Sequence, residues 1–285
     1  MSIRKASFAG SWYPQSKKEL NLIFEKELKS LSHRTVKETQ VAVLPHAGLY
    51  YSSRGLTHLI LNAPPLVEEV LIIAPSHYYP LKNNEMVFGS FDLYETPLAT
   101  LDSLKTEFAD QRAIITRAVE QEHAIEMILL VIAYLQNRQN SPIKVASALL
   151  NSVTDSDVLK TICEQVNSVV TNKNSLIIAS SDFTHYGRNF NHTPFGTTVD
   201  KTVLQRVRES DLRIGSLLKE GSTNKLLEAL NSRDYTICGL AGATVLSALA
   251  KQNSFEGEVV DYYTSVEKSK SYSNDFVAYL SLLWG

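Results

Sequence analysis

Short apolar runs alternate with longer segments whose apolar residues recur at helical spacing, from one end of the chain to the other. Val41-Ala-Val-Leu44, Val70-Leu-Ile-Ile73 and Leu176-Ile-Ile-Ala179 are too short for buried helices and rich in branched residues, so each predicts a buried strand. Residues 143–150, 258–264 and 276–283 read as further strands, and 86–94, interrupted by Gly89, as a hairpin or edge strand. Residues 15–31 form an amphipathic helix, with Leu20, Ile23, Phe24, Leu28 and Leu31 on one stripe. Residues 122–137 carry a broader apolar face and predict a helix packed on the sheet. A helix capped by Asp155 or Ser156 buries Leu159, Ile162, Cys163, Val166 and Val170. Shorter helices are expected at 54–61, 97–108, 197–208, 211–219 and 224–231, and a small-residue helix ends near Lys251. Strand and helix alternate without a low-complexity linker. The pattern predicts one α/β domain over residues 1–285, a central mixed or parallel sheet with helices on both faces.

The three core strands end alike. His46 follows the first, His77 the second, and Asp182 and His185 the third, in a turn closed by Gly187. Ligands of open α/β sheets bind beyond the carboxyl ends of the strands. If the three strands are parallel neighbours, these imidazoles and the carboxylate meet in one cleft. Packing alone gives no reason to repeat such groups at one topological position. His58 reads as a surface residue, His33 as a bystander, and His123 as a helix-cap or packing residue. Trp12 and Tyr13 fit either a core plug or a pocket wall, and Tyr50 and Tyr51 stay equally open.

A formal net charge of −2 gives no electrostatic case for nucleic acid. No apolar run reaches the length of a membrane span, and the first residues lack the apolar core of a signal peptide. Two cysteines, Cys163 and Cys238, are too few for a disulfide framework, which suggests reduced thiols and a cytoplasmic protein. Cys163 lies on an apolar stripe and reads as a small buried hydrophobe. Cys238 precedes a helix, where the free N–H groups would favour its thiolate.

Seven motifs occur in a fixed order: Ala9-Gly-Ser-Trp-Tyr13, Pro45-His-Ala-Gly48, Pro75-Ser-His77, Asp92-Leu-Tyr-Glu-Thr-Pro97, Glu122-His-Ala-Ile-Glu-Met127, Ser180-Ser-Asp-Phe-Thr-His-Tyr-Gly187 and Ile237-Cys-Gly239. Together they cover nearly the whole chain, which resembles the Memo family, whose prokaryotic members are called AmmeMemoRadiSam system protein B. That family is similar in fold to the class III extradiol dioxygenases, which implies a LigB-like central mixed sheet flanked by helices. The resemblance implies His46, His77 and Cys238 as ligands of one metal ion, with Asp182 and His185 lining the same pocket and His185 in the place of the dioxygenases' acid/base histidine. It also implies a functional link to radical-SAM and AMMECR-type proteins.

Two departures limit the analogy. The dioxygenases supply a carboxylate as third ligand where this chain has Cys238, and a thiolate widens the choice from iron to copper or zinc. Leu240-Ala-Gly242 follows Cys-Gly where many Memo proteins have a polar residue or Arg, so an anion contact is missing. Three functions are therefore expected in order. The first is a metal-dependent oxidoreductase acting on a small molecule, with iron or copper ahead of zinc. The second is a module that binds a peptide or phosphorylated ligand in the same cleft. The third is a cysteine hydrolase with Cys238 as nucleophile, His185 as base and Asp182 as orienter.

Overall fold

Strands that are apolar at every position need cover on both faces, and the structure supplies it. The computed structural model describes residues 1–31, 38–232, 234–270 and 273–285, so His33 lies outside the described residues. In chain order the elements are β1 (Ile3–Arg4), α1 (Lys17–Leu31), β2 (Val41–Leu44), α2 (Leu49–Asn62), β3 (Glu69–Ala74), β4 (Met86–Phe88), β5 (Leu93–Glu95), β6 (Thr100–Ser103), α3 (Ala113–Glu120), α4 (His123–Gln139), β7 (Lys144–Leu150), α5 (Ser156–Val169) and β8 (Ser175–Ser180). They continue with β9 (His185–Tyr186), α6 (Lys201–Lys219), α7 (Thr223–Asn231), α8 (Leu240–Gln252), β10 (Gly257–Thr264), α9 (Ser265–Ser269) and β11 (Phe276–Trp284).

The sheet is mixed, in the order β1-β5-β6-β7-β3-β8-β2-β11-β10. Its centre is parallel: β3 pairs with β7 on one side and β8 on the other, and β8 pairs with β2. β11 and β10 extend it antiparallel. The strands bearing His46, His77 and Asp182 are thus parallel neighbours, with β8 in the middle, which meets the condition under which their ends share one cleft.

Alternation along the strands divides the core. Ala42, Leu44, Val70, Ile72 and Ile178 pack with Leu20 and Phe24 of α1, Leu56 and Leu59 of α2, and the apolar residues of α4. Val41, Val43, Leu71, Ile73 and Ala179 face the other way, against α5, α6 and α8. Ser180 ends β8 in the same phase as Leu176 and Ile178. Its side chain therefore turns toward α4, which fixes its role below.

Three local expectations are corrected. Residues 97–108 hold no helix. Thr96 Oγ1 instead accepts from the N–H groups of Leu98 and Ala99, making a turn, and β6 then pairs with β5 and β7. Pro97 marks that turn rather than a helix start. The two helices expected at 197–208 and 211–219 are one, α6, capped by Asp200, which accepts from the Val203 N–H. Finally, His58 is buried, with Nε2 3.2 Å from Asp261 Oδ2. Burial alone would raise the Asp261 pKa, but the His58 hydrogen bond and the Arg54 guanidinium outweigh it and hold that carboxylate below its ordinary range.

Candidate metal centre

The site forms where β2, β3 and β8 end. His46 is buried and Cys238 half-buried, while His77 opens to solvent. Their ligand atoms lie within 4.8 Å of one another. His46 Nε2 is 3.3 Å from Cys238 Sγ. Two ligands of one tetrahedral ion, bonded at about 2.0 Å through nitrogen and about 2.3 Å through sulfur, stand roughly 3.5 Å apart. The pair is therefore spaced as one ion requires.

Each imidazole is tied by its other nitrogen. His46 Nδ1 is 2.9 Å from Ser180 Oγ. The Ser180 hydroxyl spends its only proton on the Ala124 carbonyl at 2.7 Å, so it can only accept from His46. The proton of His46 thus sits on Nδ1, and Nε2 keeps its lone pair. His77 Nδ1 lies 2.8 Å from Glu122 Oε1, and a carboxylate also only accepts. The same carboxylate takes the His77 backbone N–H at 2.7 Å and caps α4 through the Ala124 N–H at 3.1 Å. One residue thus starts the helix and orients the ring. His185 Nδ1 is 3.0 Å from two carbonyls, those of Phe183 and Thr236. Its proton too must be on Nδ1.

Electrostatics favour neutral rings at His46 and His123. Burial, then the neighbouring His77 and His185, hold the His46 pKa well below its ordinary value. Burial and His46 lower His123 to about 3.

Asp182 hydrogen-bonds backbone rather than an imidazole ring. Its Oδ1 accepts the backbone N–H groups of His46 at 2.8 Å and Ala47 at 3.2 Å, so it fixes the loop that carries His46. Burial raises its pKa, against the neighbouring His185 and these two backbone N–H groups, which lower it. Among the described residues no hydrogen bond joins Asp182 to His185, and the triad considered for a hydrolase is not assembled. Cys238 also departs from expectation. It sits just ahead of α8, yet burial first and the Asp182 carboxylate second push its thiol up. The helix terminus does not make it acidic. Cys163 is buried as expected, and burial followed by Glu164 raises it to about 11.

Gly239 explains the Cys-Gly pair. A Cβ there would collide with the Ser180 carbonyl oxygen and come within 2.6 Å of Ser181 Cβ. Only glycine lets this backbone lie against the tip of β8, where the Gly239 N–H donates to Ser181 Oγ at 3.1 Å and Cys238 reaches His46.

His123, read as a helix-cap or packing residue, does open α4 and pack, and it also lies beside the site. It is buried, and its ring centroid is 4.5 Å from that of His77 and 5.3 Å from that of His46. The ring of Trp12 covers it at 4.2 Å, while Tyr78 Oη is 3.0 Å from its Nδ1. Trp12 and Tyr13 therefore part company: Trp12 walls the site, and Tyr13 is core, with its hydroxyl on Glu126. Tyr50 is exposed. His77, Glu122 and His123 form a second group of close ligand atoms. Glu122 already accepts three hydrogen bonds, so this group serves as the hydrogen-bonded outer layer of the first.

A family model described as Memo-like protein matches residues 4–283. The chain belongs to the Memo family. It is 28% identical to the MEMO1 family protein of Thermococcus onnurineus over 300 residues, covering 99% of both chains. It is 25% identical to Protein MEMO1 of Homo sapiens over 245 residues, covering 83% of this chain and 80% of the human one. The mixed α/β sheet agrees with the LigB-like fold expected of the family. Among the described residues no helix is long and apolar enough to cross a membrane.

Proposed function

We propose that this Memo-family protein is a metal-dependent enzyme, an oxidoreductase acting on a small molecule, with one metal ion held by His46, His77 and Cys238. The supporting observation is the direction of the lone pairs. Ser180 and Glu122 each accept a hydrogen bond from the Nδ1–H of their imidazole, which leaves both Nε2 lone pairs for the site, that of His46 3.3 Å from Cys238 Sγ. Two imidazoles and one sulfur suit iron or copper, with zinc third. When bound, the ion supplies Lewis acidity and, if iron or copper, an electron-transfer centre.

The protein's own groups divide the remaining work. Asp182 holds the backbone at His46 and Ala47, so ring placement depends on it without direct contact. His185, locked through Nδ1, has only Nε2 with which to take or give a proton. Trp12 shields the His123 side from water.

A cysteine-nucleophile reading has one observation in its favour, the 3.3 Å approach of Cys238 Sγ to His46 Nε2. Against it stand the raised thiol pKa and an Asp182 that orients a loop rather than a base.

The test is metal analysis of untagged protein purified without oxygen. The wild type should carry about one ion per chain. His46→Ala and His77→Ala should each lose most of it and keep the wild-type circular dichroism, whereas His58→Gln should keep its metal. Full occupancy in the double His46→Ala, His77→Ala variant overturns the assignment. A metal-free wild type that still binds peptides would favour the binding-module reading instead.

A further inference from the structure

On the far side of the His185 loop lies a cavity of about 500 Å³, walled by Thr184, His192, Phe195, Ser210, Asp234 and Tyr235 among others. Thr184 is bonded to Asp211, the side chains of His192, Ser210 and Tyr235 are half-exposed, and Asp234 is exposed. Among the described residues the side chains of His192, Ser210, Asp234 and Tyr235 form no hydrogen bond with the protein, unlike those of the metal centre, each of which has a partner. Polar groups of this kind converging on one concave space are what a small-molecule site provides.

The cavity also touches the segments that carry the chemistry. Thr184 directly precedes His185. Tyr235 directly precedes Thr236, whose hydroxyl bonds both the N–H and the carbonyl of His185 and whose own carbonyl takes the His185 ring proton. Cys238 follows two residues later.

From this geometry we propose that the cavity is a second small-molecule site, for an aromatic amine, and that its occupancy is felt at His185. Asp234 at the rim is the carboxylate that would receive an ammonium group. His192, whose pKa burial lowers, is neutral near pH 7 and can donate to or accept from a hydroxyl, as can Ser210. Phe195 and Tyr235 supply flat apolar walls for a ring. Arg206 stacks on Phe195 at 4.3 Å without lining the cavity. The site uses none of the three proposed metal ligands, so it stands or falls apart from the metal reading.

Tyramine is the probe, with tyrosol, which keeps the phenol and replaces the ammonium by a hydroxyl, as its uncharged counterpart, both followed by calorimetry. Tyramine should bind, and tyrosol or the Asp234→Asn variant should each lower the affinity by up to about fivefold, the worth of an ion pair at an exposed carboxylate. Ser210→Trp, which fills the space, should abolish it. His46→Ala should bind tyramine as the wild type does, which separates this site from the metal centre. In the wild type, tyramine should also shift the His185 ring resonances. No binding at millimolar tyramine overturns the proposal, as does equal binding by Asp234→Asn, binding lost with His46→Ala, or an unmoved His185.

Discussion

Two buried polar clusters share the first turns of α4, and they are satisfied in opposite ways. On one side, Arg4 and Glu126 are fully enclosed. Arg4 donates to the carbonyls of Val119 and Glu122 and to Glu126 at 2.8 Å. Glu126 also takes the N–H groups of Ser7 and Phe8 and the hydroxyl of Tyr13. Every donor and acceptor points at another within the cluster, and the result ties the N-terminal segment to the helix. On the other side, His46, His77 and His185 are tied through Nδ1, and their Nε2 lone pairs are left for the site, that of His46 facing Cys238 Sγ at 3.3 Å. The first is a sealed ion pair, whereas the second opens to solvent at His77 and holds a His46 ring that burial keeps neutral. What distinguishes the second is that its hydrogen bonds stop at the edge of a shared space.

Breaking the closed cluster should give the largest effect. Arg4→Met leaves the Glu126 carboxylate buried without its cation, which commonly costs about 3–5 kcal/mol. Urea unfolding should show a lower midpoint at an unchanged slope, while any bound metal is retained in the folded protein. A loss under about 1 kcal/mol would mean that the cluster is not closed in solution.

The two cysteines repeat the contrast. Cys163 is packed against α8, its sulfur 3.9 Å from the Val245 carbonyl. Its pKa is about 11 when folded against an ordinary 9.0. Between those values the unfolded chain releases the thiol proton and the folded protein does not. The protonated thiol therefore favours the fold fully below pH 9, and this contribution is lost as pH rises toward 11, at most about 3 kcal/mol. Cys163→Ala should flatten the fall in stability over that window, whatever it costs at pH 7. An unchanged slope would place the titration elsewhere. Cys238, half-buried and facing His46, should be the cysteine whose alkylation a bound metal alters.

How much of this could be read beforehand follows from the range of the interactions. The positions of His46, His77, Asp182 and His185 followed from three short apolar runs, because a parallel sheet brings strand ends together whatever lies between them. Cys238 entered through family resemblance alone, since no local pattern links it to β2. Ser180 was invisible as a partner because strand phase, not residue type, aims it at α4. Glu122 and His123 looked like a helix start, which they are, and the second task of each depends on His77, some 45 residues away. His58 was misread for a similar reason: its partner, Asp261, lies on β10, about 200 residues on. The strand β6 was lost because Pro97 signals a turn and a helix start equally well.

The smallest effects should come from the outer acceptors, and they test the comparison most directly. Glu122→Gln keeps the shape of the side chain but not its charge, and its amide group can no longer accept from both the ring and the backbone of His77. Partners of this kind change metal affinity by about 10–100-fold, and Glu122 should fall in the upper part of that range because it also caps α4. Ser180→Ala should fall near the lower end. The hydroxyl it removes is neutral. Without that acceptor, the His46 proton is free to move to Nε2, where it would block the lone pair facing Cys238. Nitrogen chemical shifts of the metal-free protein should show His46 protonated on Nδ1 in the wild type and divided between the two nitrogens in Ser180→Ala. Ser180→Thr, which keeps a hydroxyl, should restore the single form and the affinity. If Ser180→Ala leaves both the tautomer and the metal affinity unchanged, His46 is held by something other than this hydroxyl. The contrast between a closed cluster and one opened by its outer acceptors would then fail at its most exposed point.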